Sequence, residues 1–298
     1  MTQINITAMR HSAFYSPLLM TICGGYLKDE GLQPEYAVST AQNSVPDRLR
    51  SGVAHLSQAA VSTSFDTLER GGSCDIVHFA QINERDGFFI ASRNPNPNFT
   101  WGCLKGREIL ADHVFQPLAM LRYALHKKGI DGNQVKLVDA GKAATIDAAF
   151  RAGQGDYVHQ QGPFPQLLEK EGVGYVVAAV GGVIGPVAFS SLCATREWIE
   201  TEMAQAFMKA YRRARQFVIE APAREIAALE SRFFPGIDAD VLTDTIAAYQ
   251  GLGCWTPGTW ITREAYANLL DIFLYSGLIS KRHAYEACIA TPPDPASR

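Results

Sequence analysis

Short apolar runs alternate with helical spacing along the first two thirds of the chain. Residues 4–9 alternate apolar and polar side chains, which predicts a strand, and residues 18–28 have the apolar spacing of a helix. Gly31 ends that helix, and a second strand is predicted over residues 32–38. The resulting strand–loop–helix–strand order is the unit from which parallel sheets are built.

The same unit recurs as far as about residue 190. Strands are predicted at residues 54–58, 75–82, 87–91, 107–111, 135–138, 157–158, 175–180 and 187–194. Helices are predicted between them at residues 44–51, 62–70, 116–128, 143–152 and 165–170. The remainder is predicted to be helical at residues 197–221, 223–233, 239–252 and 263–276, with a loose tail at 292–298.

The Asn-Pro-Asn-Pro-Asn loop at residues 94–98 separates two runs of these units. The segment at 187–194 is predicted to return the chain to the first run. We therefore expect an α/β protein of two lobes. The first lobe is discontinuous and comprises residues 1–90 with 190–298, and the second comprises residues 91–189.

Length and charge narrow the possible functions. The chain has 298 residues, which suits two lobes of roughly 100–200 residues each. Its 27 basic and 30 acidic residues give a net charge of −3, so we expect no nucleic-acid partner. The apolar stretches are shorter than the roughly 20 residues that span a bilayer. The chain begins without a basic and apolar leader, which predicts a cytoplasmic location unless a leader was removed.

Cysteine and histidine spacing gives no sign of a metal site. The six cysteines form no CxxC pair, which favours buried thiols in a reducing compartment, and the seven histidines form no HExxH motif. No GxSxG, GxGxxG or phosphate-binding P-loop motif is present. We therefore expect no cofactor and assign no catalytic residue.

Several phrases resemble one protein family. Residues 11–18 followed by residues 25–32 are similar to the opening of the NMT1/THI5-like and sulfonate- or taurine-binding (SsuA/TauA-like) proteins. Residues 104–109 resemble the start of the family's second lobe, and residues 149–156 resemble a later phrase. Residues 50–54 occupy the place of a GxxD segment, but Ala54 and His55 replace its aspartate. The ordered set spans about residues 4–190.

The resemblance implies a type 2 periplasmic-binding-protein fold, in which two crossing strands join two lobes that close on a ligand. It also implies the substrate-binding component of an ABC importer, with a membrane permease as partner. The location would then be periplasmic or membrane-associated, if a leader was omitted. We expect a monomer that binds a small molecule.

Candidate site residues follow from the topology, since ligands of open α/β sheets bind beyond the carboxyl ends of the strands. The candidates on those loops are Arg10, His11, Ser12, Phe14, Tyr15, Gln58, Ala59, Ser62, Asn83, Asp112, His113, Gln116, Gln160 and Gln161. Gly185 is a further candidate, because it lies beside Pro186 near the expected hinge.

These residue types indicate a flat, nitrogen-containing ligand such as a pyrimidine. Phe14 or Tyr15 could stack on a ring, and the amides of Gln160 and Gln161 could bind its edge. Ser62 could bind an acceptor-rich group or simply cap a helix. Asp112 could cap the next helix or face the ligand, where it would repel an anion and favour a neutral or cationic heterocycle.

An enzyme of the same fold is the alternative. The pyrimidine synthase of thiamine biosynthesis in this family uses a lysine and a histidine, and their positions hold Gln58 and Ser62 here. A related desulfinase uses a first-loop cysteine, which this chain lacks. A cytoplasmic enzyme acting on a small aromatic or heterocyclic substrate would need another base, such as His11 or His113. Trp255 could cover the cleft or anchor the last helices.

Overall fold

Two five-stranded sheets organise the chain in the computed structural model, which describes residues 1–293. The first sheet has the order β2-β1-β3-β10-β4. Its strands are β1 (Thr2–Ala8), β2 (Leu32–Val38), β3 (Leu56–Ala59), β4 (Ile76–Asn83) and β10 (Ser190–Thr195). Strand β1 runs parallel to β2 and β3, whereas β10 runs antiparallel to β3 and β4.

The second sheet has the order β7-β6-β8-β5-β9. Its strands are β5 (Phe88–Ser92), β6 (Glu108–Ala111), β7 (Lys136–Asp139), β8 (Tyr157–Gln161) and β9 (Tyr175–Ala179). Strand β6 runs parallel to β7 and β8, and β5 runs antiparallel to β8 and β9. We call the parts of the chain built around the first and second sheets the first and second lobes.

Helices cover the faces of both sheets. Within residues 1–293 the α-helices are α1 (Ser16–Cys23), α2 (Tyr26–Asp29), α3 (Val45–Arg50), α4 (Phe65–Glu69), α5 (Phe115–Lys127), α6 (Ala143–Arg151), α7 (Phe164–Lys170), α8 (Val180–Ile184), α9 (Glu202–Glu220), α10 (Ala223–Glu230), α11 (Ala239–Leu252), α12 (Arg263–Tyr275) and α13 (Tyr285–Cys288). None of the helices in this part of the chain is long and apolar enough to cross a bilayer.

The chain passes between the lobes twice, from β4 into β5 and from α8 into β10. The division into residues 1–90 with 190–298 and 91–189 remains a prediction. Strand β5 already pairs in the second sheet from Phe88, which lies two residues before the expected end of the first segment. The predicted tail at 292–298 lies, from residue 294 onward, outside the described residues.

Glycine and capping residues explain where the observed helices differ from the predicted ones. The helix predicted over residues 18–28 is two helices, because Gly25 adopts a left-handed conformation (φ 85°) between α1 and α2. The long helix predicted from residue 197 begins at Glu202, where the Thr201 side chain accepts a hydrogen bond from the Ala204 N–H. The helix predicted over residues 62–70 begins as a short 3-10 helix (Val61–Ser64) before α4.

Candidate functional site

A cavity of about 800 Å³ lies between the lobes, where the loops after β1, β3 and β6 meet the segment before β10. We call it the large chamber. Six aromatic residues line it, which are Tyr15, Phe65, Phe88, Phe115, Phe189 and Phe273. Amide and hydroxyl groups are interspersed among them, from Gln58, Ser62, Gln116, Gln161 and Ser190. An apolar cavity with a few polar groups is typical of small-molecule sites.

A second cavity of about 380 Å³, the small chamber, adjoins the first. The two share five lining residues, which are Met9, Arg10, Phe88, Val114 and Gln161. Asp112, Lys142 and Gln160 also line the small chamber. Gln160 donates to the Ala143 carbonyl at 2.8 Å, and its own side-chain oxygen is buried without a hydrogen-bond partner. The structure therefore brings Gln160 and Gln161 to the cleft.

An ion pair crosses the cleft where the chambers meet. Arg10 Nη1 lies 2.7 Å from Asp112 Oδ2, and the other carboxylate oxygen of Asp112 accepts the Val114 N–H at 2.9 Å. Burial would lower the pKa of Arg10, but the hydrogen bond and the charge of Asp112 raise it above its usual value. Asp112 is therefore a partner of Arg10, a role that the sequence did not reveal.

Gln58 holds the first loop in place. Its side-chain oxygen accepts the backbone N–H groups of Met9 and Arg10 at 3.1 and 3.2 Å, and its amide nitrogen donates to Ser190 Oγ at 2.7 Å. Gln58 lines the large chamber but is only 3% exposed. Both polar atoms of its amide are hydrogen-bonded within the protein, so the role of Gln58 in the site is to position Arg10.

Hydrogen bonds tie the lobes together around the cleft. Ser62 Oγ in the first lobe donates to Gln116 Oε1 in the second at 2.6 Å, so Ser62 neither caps a helix nor is free. Gln116 Nε2 donates in turn to the Phe189 carbonyl at 2.9 Å. Ser12 Oγ donates across the cleft to the Gly162 carbonyl at 2.8 Å. The Ser62–Gln116 and Ser12–Gly162 hydrogen bonds link the two lobes across the cleft.

Tyr15 is the first-loop aromatic that reaches the large chamber, where it is 3% exposed. Burial raises the pKa of its phenol, although the nearby positive charge of Arg10 opposes that effect. The hydroxyl therefore stays protonated and can donate a hydrogen bond at neutral pH.

Phe14 and Asn83 lie behind the site and line neither chamber. The Phe14 ring is fully buried among Tyr15, Phe189 and Tyr249, with ring centroids 5.0–5.4 Å apart, so it is part of the core. Asn83 is also fully buried and donates to the Phe14 carbonyl at 2.6 Å. Both residues support the first loop rather than a ligand.

Three further candidates also lie outside the lining of the two chambers. Ala59 is buried, and its carbonyl faces the hydroxyls of β10 within the first sheet. His113 turns back to hydrogen-bond the Ala111 carbonyl at 2.9 Å. Gly185 ends α8 with a φ of 78° at the return to the first lobe, a conformation that favours glycine.

His11 lines the small chamber with both ring nitrogens engaged. Nδ1 lies 3.0 Å from the Tyr36 hydroxyl and Nε2 lies 2.8 Å from the Phe233 carbonyl. Partial burial lowers the pKa of His11, although the bond to Phe233 opposes this. Because both ring nitrogens of His11 are hydrogen-bonded to the protein, neither is free to act as a base.

Trp255 is 5% exposed, and its indole N–H donates to the Phe14 carbonyl at 3.1 Å. It therefore anchors the first loop from behind and does not cover the cleft. In residues 1–293, no group of three or more His, Cys, Asp or Glu side chains is placed to hold a metal ion.

Sequence reasoning missed most of the apolar lining. Phe88 opens β5, Phe115 opens α5 with 74% of its surface exposed, and Phe189 directly precedes β10. The sequence did contain a signal for Phe115. It is a large apolar residue in the first turn of the helix that follows β6, and such a turn lies at the carboxyl edge of a parallel sheet, where ligands bind.

Comparisons with known proteins agree with this architecture. The NMT1/THI5-like family model matches residues 14–225. A Bacillus subtilis (strain 168) protein named "Putative binding protein YtlA" is 27% identical over 293 residues, which cover 97% of this chain and 88% of that protein.

Solved structures share the fold at lower identity. The periplasmic aliphatic sulphonate binding protein SsuA from Escherichia coli has a TM-score of 0.74 at 18% identity, covering 98% of this chain and 93% of its own. The ligand binding component of an ABC-type import system from Staphylococcus aureus, with zinc bound, also has a TM-score of 0.74, at 17% identity and 98% coverage of both chains. The expected two-lobed periplasmic-binding-protein fold is thereby confirmed. Since the family match covers most of the chain, this protein belongs to the NMT1/THI5-like family.

Proposed function

We propose that this chain is the ligand-binding component of an ABC importer, and that it encloses an uncharged aromatic or heterocyclic molecule, pyrimidine-like in shape, between its lobes. The observation that carries the proposal is the large chamber, an aromatic cavity of about 800 Å³ with amide and hydroxyl groups on its walls. Its volume lies within the roughly 300–1,000 Å³ of small-molecule sites.

The wall chemistry favours a flat ring with polar edges. Tyr15, Phe88 and Phe189 offer ring faces and edges for stacking, which adds to the burial of apolar surface. Gln161 presents an amide at the junction of the chambers, and an amide both donates and accepts. A pyrimidine edge carries donors and acceptors of the same kind.

The charges of the cleft disfavour an anionic ligand. Arg10 is the one lysine or arginine among the described residues that line the large chamber, and Asp112 already neutralises it. Pro117 in the first turn of α5 has no N–H to offer an anion, and the Val114 N–H is bound by Asp112. The sulphonate-binding relative shares the fold, but the charges described here do not favour a sulphonate in this cleft.

The proposed partner is a membrane permease, and the proposed location is the periplasmic or extracellular side of the membrane. The relatives that support this are a periplasmic binding protein and a component of an ABC-type import system. The cleft is built from one chain, so the proposed form is a monomer. Lobe 1 is proposed to comprise residues 1–90 with 190–298, and lobe 2 residues 91–189.

Native mass spectrometry of the gently purified protein, followed by a thermal-shift screen, tests the proposal. The panel contains pyrimidines and other uncharged heterocycles beside sulfonates and nitrate. A ligand at about 100 times its Kd adds roughly 2.7 kcal/mol of stability, which is readily measured. Stabilisation by an uncharged ring that is recovered unchanged supports the proposal. Stabilisation by sulfonate or nitrate alone refutes the ligand class, and turnover of a bound compound would assign the chain to the enzymes.

A further inference from the structure

Asp112 occupies the position in which an anionic ligand would be bound. One of its oxygens lies 2.7 Å from the Arg10 guanidinium, and the other accepts the Val114 N–H at the start of the 13-residue helix α5. A guanidinium and N–H groups at a helix N-terminus are the donors that proteins use for sulfonate, phosphate and carboxylate groups. The protein thus fills its own anion position with a side chain.

The acidic member of the Arg10–Asp112 ion pair is shielded from solvent. The Asp112 side chain is 7% exposed, whereas that of Arg10 is 32% exposed and faces both chambers. Arg10 is also fixed through its backbone N–H by Gln58. Because water is largely excluded from the carboxylate, the ion pair is less screened than one on the surface. The carboxylate therefore holds Arg10 at the edge of the small chamber, which Asp112 itself lines.

Other charges at the cleft do not offset this arrangement. Asp66 and Glu69 at the large chamber are themselves negative, and they pair with Arg70 and His283. In the small chamber Lys142 is exposed to solvent, where water screens its charge. His159, also in the small chamber, is fully buried, and burial lowers its pKa to about 3, so it carries no charge.

We propose that Asp112 determines the charge specificity of the cleft: it acts as an internal anion that excludes anionic ligands. The inference rests on the proposed function of the cleft as a ligand site. It predicts that removal of one negative charge converts the same cavity into a site for small organic anions, since Arg10 then lacks its counter-charge.

Two probes of nearly the same shape test this inference. Benzenesulfonate carries a negative charge and benzenesulfonamide does not, and both have a ring that suits the aromatic chamber. Isothermal titration calorimetry would measure both with the wild type, Asp112→Asn and the control Asp75→Asn. Asp75 pairs with Arg50 at 2.6 Å outside both chambers, so its substitution removes the same charge and the same type of ion pair elsewhere.

We expect Asp112→Asn to bind benzenesulfonate at least about tenfold more tightly than the wild type, because a unit charge a few ångströms from the ligand changes its electrostatic energy by several times RT. Asp75→Asn should match the wild type. The gain should disappear in the double variant Asp112→Asn with Arg10→Gln. It should also shrink with added salt, as the Arg10 charge is screened.

A second variant, Asp112→Ser, keeps an acceptor for the Val114 N–H. It replaces Asp112→Asn in the comparison if circular dichroism shows that Asp112→Asn is unfolded. Equal benzenesulfonate affinity, or equal lack of binding, in the wild type and the folded variant overturns the inference. Failure of the proposed function has a different signature: no uncharged compound stabilises the wild type, whatever the Asp112 variants do with benzenesulfonate.

Discussion

Gln116 uses both ends of its amide, joining Ser62 of the first lobe to the segment before β10, which makes its replacement by leucine an informative perturbation. The side chain is buried with 4% exposure, accepts from Ser62 Oγ at 2.6 Å and donates to the Phe189 carbonyl at 2.9 Å. Leucine is close to glutamine in size, so Gln116→Leu removes both hydrogen bonds without opening a large cavity.

The expected loss of stability follows from those two bonds. A hydrogen bond within a protein contributes about 0.5–1.5 kcal/mol net, so the pair contributes about 1–3 kcal/mol. Ser62 is half-buried and can turn to water, whereas the Phe189 carbonyl belongs to a residue that is 4% exposed and is left without this donor. An unpaired buried carbonyl keeps its desolvation cost, which places the expected loss in the upper half of the range.

Urea unfolding followed by circular dichroism measures this loss as a lower midpoint at unchanged slope. Gln216→Leu is the matched control, since Gln216 lies exposed on α9 and pairs with Glu220 one turn away. Its effect should stay within about 0.5 kcal/mol. A ligand that binds the form in which these hydrogen bonds are made would also bind Gln116→Leu about 5- to 150-fold more weakly than the wild type.

An unchanged midpoint for Gln116→Leu would refute the reasoning, because it would mean that the two hydrogen bonds of the Gln116 amide add nothing to the folded state. An equal fall in Gln116→Leu and Gln216→Leu would refute it as well, since the loss would then not depend on the bridge.

Three further substitutions test the support of the cleft. Burial raises the pKa of Asp86 from 3.8 to about 8. Between these two pH values the folded chain holds a proton on Asp86 that the unfolded chain has released. The free energy of unfolding therefore falls as the pH rises from 3.8 to about 8. Melting curves from pH 4 to 9 should show Asp86→Asn abolishing this fall, while Asp75→Asn does not. Trp255→Phe removes the indole donor to the Phe14 carbonyl and should cost about 0.5–1.5 kcal/mol in urea unfolding; no loss would show that this bond is dispensable. Gly87→Ala places a methyl group 2.4 Å from the Phe14 ring, so we expect a lower melting temperature and weaker binding of any ligand found in the screen, and a neutral result would contradict the packing described here.

Local patterns predicted the elements of the fold well. Strand β2 spans Leu32–Val38, the residues predicted, because its strand pattern resumes directly after the glycine that ends the preceding segment. The break between α1 and α2 was missed because Gly24 and Gly25 lie inside an otherwise regular apolar spacing. The apolar pattern alone does not reveal whether a glycine within it adopts a helical or a left-handed backbone conformation.

The site was only partly predictable, because its key contacts join distant parts of the chain. Arg10 and Asp112 are 102 residues apart, so the sequence showed two separate charges where the structure has one neutral pair. Phe14 and Tyr15 are neighbours with the same chemistry, yet one packs in the core and the other reaches the chamber. Which of two adjacent aromatic residues faces a cleft depends on the backbone of the loop.

The position of β10 has a consequence for the order in which the protein can fold during synthesis. Strand β10 lies between β3 and β4, so the first sheet lacks an inner strand until residue 195 has been made. All strands of the second sheet precede it in the chain and can pair earlier. A nascent chain that ends before residue 190 therefore exposes the unpaired edges of β3 and β4, a surface prone to association with other chains. The second lobe is completed first, although synthesis begins with the other.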